Sequence, residues 1–158
     1  MSPGDSTVLF KALPSQFRLT SPEKRVLKNF SKNLSQDVVG GRPFTSLITN
    51  DRELQNLNRQ FLGNDYPTDV LSFPSAVPGH LGELAISVER ADAQANLFGH
   101  SRVDEIRVLM LHGLLHLAGM DHETDRGAMS RAEKKWRSYF ELPATLISRV
   151  KTEKAGRG

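Results

Sequence analysis

The sequence predicts a single α+β domain: a small mixed β-sheet with helices packed on it and a three-histidine metal site at the end of a buried helix. Three observations carry this. Short β-branched and aromatic runs interleave with amphipathic stretches, without strict strand-helix-strand alternation and without an internal repeat. The segment Val108 to Leu117 is the most apolar of the chain and reads as a core helix. Three of the five histidines fall between His112 and His122. A chain of 158 residues buries roughly 68–70% of the surface its unfolded form exposes, so it needs no disulfide or structural metal to fold. Residues 1–150 are therefore read as one domain, and the polar, Gly-containing residues 151–158 as a disordered tail.

The elements follow in order. Val8-Leu9-Phe10-Lys11-Ala12-Leu13, before Pro14, reads as a first strand. Ser21-Pro22-Glu23 opens a helix with Ser21 as N-cap, and Val26, Leu27, Phe30 and Leu34 form its apolar stripe until Gly40-Gly41 stops it. Phe44 to Thr49 is a second strand. Asn50 or Asp51 then caps a helix with apolar positions Leu54, Leu57, Phe61 and Leu62. Val70 to Phe73, ended by Pro74, and Glu83 to Val88 are the third and fourth strands, joined by a Pro/Gly loop. The last third is helical: Glu89 to Leu97, then a helix capped by Ser101 that contains the apolar run, then about Arg126 to Phe140.

With no cysteine, the chain has no disulfide, thiolate zinc site, iron–sulfur cluster or cysteine nucleophile. The first residues lack a charged region leading into an apolar stretch, and no apolar run approaches the ~20 residues of a membrane span. An intracellular, cytoplasmic protein is expected. The net charge of +3 is unevenly spread: residues 1–50 carry +4, residues 51–100 carry −4 and residues 101–158 carry +3. Lys24, Arg25, Lys28 and Lys32 recur at helical spacing, and Arg131, Lys134, Lys135 and Arg137 cluster. These are either solvated helix faces or phosphate-binding surfaces, and Lys24, Arg25 and Lys28 are the candidate RNA contacts.

The histidine spacing carries the chemistry. His112 and His116 are four apart, so one helix face presents both to a single ion. Gly119 lets the chain turn back and bring His122 to the same ion. Three imidazoles without thiolate suit zinc, one ion per chain, with nickel or copper as chemical competitors, and leave a coordination position open for a water whose pKa falls towards ~7. His80 and His100 read as exposed loop residues. The pattern departs from the zinc-protease signature H-E-x-x-H-x-x-G-x-x-H: Gly113 stands where the protease keeps its glutamate base, and the third histidine comes one residue later.

The block His112 to His122, read as H-G-x-L-H-L-x-G-x-D-H, resembles the YbeY family of bacterial rRNA maturation factors. So do Leu57-Asn58, Gly63, Pro67-Thr68-Asp69-Val70-Leu71-Ser72-Phe73-Pro74 and Leu81-Gly82-Glu83-Leu84. Matching positions run from about residue 44 to 140, with the N-terminal third similar in length and element order more than in motif. The resemblance implies a zinc-dependent single-strand endoribonuclease of small-subunit rRNA 3′-end processing and ribosome quality control. It also implies His112, His116 and His122 as ligands, and rRNA with the small subunit or its proteins as partners. The family pattern has an arginine immediately before the glycine numbered 63 here, where this chain has Leu62. Arg59, one turn back, either supplies that guanidinium from a displaced root, pointing at the metal cleft, or is a surface residue.

Other motif residues have two readings each. Thr68-Asp69 either fixes the turn into the third strand or takes part in catalysis. Asp121 either orients a ligand imidazole or acts as a base. Two rivals to the nuclease remain: a non-enzymatic ribosome-assembly factor with a structural metal, and a metal-dependent hydrolase of another phosphoester or a small amide.

Overall fold

The computed structural model describes residues 6–120 and 126–143. Strands β1 (Thr7–Phe10), β2 (Thr45–Thr49), β3 (Val70–Pro74) and β4 (Gly82–Ser87) form one sheet in the order β1-β2-β4-β3. β1, β2 and β4 run parallel, and β3 pairs antiparallel with β4, leaving β1 and β3 as the edges. The helices are α1 (Ser21–Val38), α2 (Asp51–Leu62), α3 (Val88–Phe98), α4 (Arg102–Leu117) and α5 (Ala128–Tyr139).

Strand alternation sorts the helices into layers. Val8, Ile48, Leu84 and Ile86 face the main core, where they meet Leu27, Phe30 and Leu34 of α1, Ala91 of α3, Leu109, Met110 and Leu114 of α4, and Met129 of α5. The opposite face carries Leu71 and Ala85, covered among the described residues by Leu54 of α2. Beyond α2 that face is bare: Leu9, Leu47, Phe61 and Phe73 line an open apolar groove of about 300 Å³. α4 is the central helix, with most of its residues buried, as its continuous apolar run requires.

Several boundaries differ from the sequence reading. The N-cap of α1 is Thr20, not Ser21, because only residue 20 can exchange bonds with Glu23. Thr20 N donates to Glu23 Oε1 at 2.8 Å, and Glu23 N donates to Thr20 Oγ1 at 3.2 Å. β1 stops at Phe10 rather than Leu13: its partner strand ends at Thr49, and Ala12 takes a positive φ of 53°. α2 buries Leu54 and Asn58 but leaves Phe61 and Leu62 exposed, because the groove beside it is uncovered. α5 begins at Ala128, after Gly127. Asn50 and Ser101 cap their helices as expected. The tail 151–158 lies outside the described residues. Among the described residues no helix is long and apolar enough to cross a membrane.

Gly82 fixes the join between β3 and β4. Its φ is 146°, and a Cβ there would lie 2.3 Å from the Phe73 carbonyl oxygen. Backbone cannot yield to such a clash as a side-chain tip could. Gly82→Ala is expected to destabilise the protein by at least about 2 kcal/mol, read as a lower urea midpoint at unchanged m-value.

Candidate metal centre

The candidate site lies where α4 crosses beside the free edge of β3. The helix approaches the sheet closely at Gly113, where a Cβ would meet Leu84 Cδ2 at 2.7 Å and Ser72 Oγ at 3.3 Å. Ser72 Oγ donates to the Gly113 carbonyl at 3.3 Å and ties strand to helix. Position 113 therefore faces packed sheet, and a protease-like glutamate would have no room there.

His112 and His116, on either side of that contact in sequence, enter one cleft of about 420 Å³, also lined by Asp69, Val70, Leu71, Ser72 and Pro74. Their Nε2 atoms stand 3.1 Å apart. Two nitrogens bound tetrahedrally to zinc at about 2.0–2.1 Å would be separated by about 3.3 Å, so the pair is already spaced for one ion. The Nδ1 of His112 lies 2.6 Å from Oε1 of Glu133, a buried carboxylate on α5. Because a carboxylate only accepts, the imidazole donates through Nδ1 and turns the Nε2 lone pair towards the cleft. Both the donor type and the tautomer thus suit a zinc ion. The third expected ligand, His122, and the neighbouring Asp121 lie outside the described residues. Among the described residues no group of three His, Asp or Glu side chains assembles by itself.

Glu133 escaped the sequence reading, although a signal exists. It occupies a position of α5 at which Met129, four residues earlier, faces the core, so an acid stands where the helical period calls for an apolar residue. His100 is also corrected: its side chain is only 10% exposed, and its Nε2 lies 2.6 Å from Oε1 of the fully buried Glu105. His80 is half-buried.

Asp69 holds the turn into β3. Its Oδ1 accepts from Val70 N at 2.8 Å and its Oδ2 from Gln94 Nε2 at 3.1 Å. Thr68 Oγ1 adds a longer bond of 3.4 Å to Oδ1.

Arg59, expected at the cleft, and the candidate RNA contacts of α1 lie elsewhere. Arg59 does not line the cleft; its guanidinium bonds Asn56 Oδ1 at 3.0 Å and Asp65 Oδ1 at 3.5 Å. The reason is the placement of α2, which covers the sheet face opposite α4. Lys24 and Lys28 place their Nζ atoms 5.2 and 6.0 Å from the ring centroid of Phe10, on the edge strand β1, and Arg25 is exposed on the same helix. The histidine cleft flanks the other edge, β3, so these three are not brought to His112 and His116.

The family model "Endoribonuclease YbeY" matches residues 14–141. The chain belongs to the YbeY endoribonuclease family. The match reaches well into the N-terminal third, where motif resemblance was weakest. A YbeY endoribonuclease from Solibacter usitatus is 51% identical over 151 residues, spanning 96% of this chain and 99% of that protein. Another from Koribacter versatilis is 50% identical over 104 residues, covering 66% and 68% of the two chains. A solution structure of a Thermotoga maritima protein shares the fold, with a TM-score of 0.57 and 28% identity over 84% of this chain and 93% of that one. YbeY members are by name hydrolytic nucleases, and this chain is an enzyme of that class.

The buried bond to Glu133 sets a testable cost. Glu133→Ala is expected to remove the buried carboxylate that the His112 Nδ1–H donates to and lower stability by about 1–3 kcal/mol. Glu133→Gln keeps an acceptor and is expected to weaken zinc binding about 10- to 100-fold with a smaller loss of stability. Competition titration against a chromogenic chelator, paired with urea unfolding, separates the two effects.

Proposed function

We propose that this chain is a zinc-dependent endoribonuclease cutting single-stranded RNA, acting in the cytoplasm in maturation of the small-subunit rRNA 3′ end and in ribosome quality control. The observation that carries the reading is the pair of imidazoles with Nε2 atoms 3.1 Å apart, opening together into one cleft of about 420 Å³. Membership of the YbeY family supports the ribonuclease class, and the two motif blocks similar to bacterial rRNA maturation factors support the rRNA substrate and small-subunit partners.

His112 and His116, with His122, are the residues that would hold the ion. Zinc bound there supplies Lewis acidity for phosphodiester hydrolysis. The chain's own groups do the rest. Glu133 keeps the His112 ring oriented and in the tautomer that offers Nε2 to the cleft. Ser72 and Gly113 hold the strand edge against the helix that carries both rings. Asp121, beside His122 in sequence, is the carboxylate assigned to the same centre. Lys24, Arg25 and Lys28, on α1 at the far sheet edge, serve the RNA backbone beyond the cut site rather than the reaction.

The decisive experiment measures zinc content and RNA cleavage together. Wild type should carry about one zinc per chain and cut a single-stranded RNA, whereas His116→Ala should lose stoichiometric zinc and cleavage while keeping its helical circular dichroism. Retention of full zinc or wild-type cutting by that variant overturns the assignment. RNA affinity should fall with log salt at about −0.7 per phosphate neutralised, and charge reversal at Lys24, Arg25 or Lys28 should flatten the slope. Binding that ignores salt would favour a small-substrate hydrolase.

A further inference from the structure

The cleft must receive an anionic backbone, yet among the described residues no lysine or arginine lines it. Its polar side chains are largely committed. Asp69 accepts from Val70 and Gln94, Ser72 Oγ donates to the Gly113 carbonyl, and the two imidazoles face each other. What remains is the backbone of β3, an edge strand with β4 on one side only.

The pairing fixes which amides face the other side. Ser87 N donates to the Asp69 carbonyl at 3.0 Å, and Ser75 N donates to the Leu81 carbonyl at 3.0 Å. Residues 69 and 75 therefore turn their main-chain groups towards β4. By antiparallel alternation, so do Leu71 and Phe73, opposite Ala85 and Glu83. Val70, Ser72 and Pro74 point their groups outward. Val70 N–H is occupied by Asp69 Oδ1 at 2.8 Å, and Pro74 has no N–H. Ser72 is left as the one outward N–H of β3, and its residue lines the cleft together with His112 and His116.

We infer that the main-chain N–H of Ser72 binds a phosphate oxygen of the RNA strand lying along the β3 edge, beside His112 and His116. This rests on the ribonuclease reading above. A main-chain donor suits this role because the sheet fixes it before substrate arrives, so it costs no side-chain ordering when the phosphate docks. Blocking the amides on both sides serves two ends at once, since an edge with one usable donor fixes the strand's register and resists pairing with another protein's β-strand.

The test removes the N–H and leaves the side-chain loss accounted for. Ser72→Pro deletes the donor at an outward edge position, where a proline ring meets no ladder bond, while Ser72→Ala deletes only Oγ. In the zinc-loaded full chain, Ser72→Pro should lower kcat/KM for a single-stranded RNA about 10- to 100-fold more than Ser72→Ala does, the worth of one hydrogen bond to a charged group. A second measurement stands even if the proline variant fails to fold. On titrating the wild type with a single-stranded RNA analogue whose bridging 3′ oxygens are replaced by methylene, so that its P–C bonds resist hydrolysis while the anionic oxygens remain, the Ser72 amide resonance should shift downfield on saturation. Equal kinetics of the two variants, or a Ser72 amide that stays in place while other cleft amides move, overturns the inference and leaves the nuclease reading standing. A wild type that neither binds nor cuts RNA overturns both.

Discussion

The close approach of α4 to the sheet at Gly113 is the constraint on which the rest of the site depends. With hydrogen in place of Cβ, the helix backbone can settle onto Leu84 and bring its carbonyl within reach of Ser72 Oγ. That contact places a buried helix directly beside an edge strand, and the residues one before and three after the glycine then open into the space beyond the edge. A larger residue at 113 would lift the helix and move both imidazoles with it. The same crowding explains why the glutamate of the zinc proteases has no counterpart here: its position points into packed sheet.

Around this contact, polar groups are used to lock orientation. Glu133 crosses from α5 to His112, so the last described helix is coupled to the histidine cleft by a buried bond as well as by Met129 in the core. Asp69 joins the start of β3 to Gln94 of α3. Farther along the same seam, Asp51 receives Ser87 Oγ at 2.5 Å and Arg90 Nε at 3.3 Å, linking the start of α2 to the passage from β4 into α3. The buried His112–Glu133 bond stabilises modestly in net terms but is costly to break singly, and the part-buried bonds of Asp69 and Asp51 add to the same geometry.

The two sheet edges differ in the side chains that flank them. At β1, lysines of α1 pack over Phe10, and at β3 the cleft is uncharged by Lys or Arg among the described residues. In the function proposed above, this arrangement separates long-range attraction of the RNA backbone from the chemistry at the histidine cleft.

By itself the sequence determined the element types, the N-caps Asn50 and Ser101 and the pairing of His112 with His116, because helical spacing and the apolar run of α4 are local properties of the chain. The motif blocks likewise disclosed the family from residues alone. Only tertiary structure decided the strand order, the placement of α2 on the sheet face opposite α4, and the consequent position of Arg59 away from the cleft. It also decided the role of Glu133, which lies 21 residues from His112 and meets it only through helix packing. Local periodicity reports which way a side chain faces on its own element; which element lies opposite is set by contacts between segments distant in sequence, and those no spacing rule records.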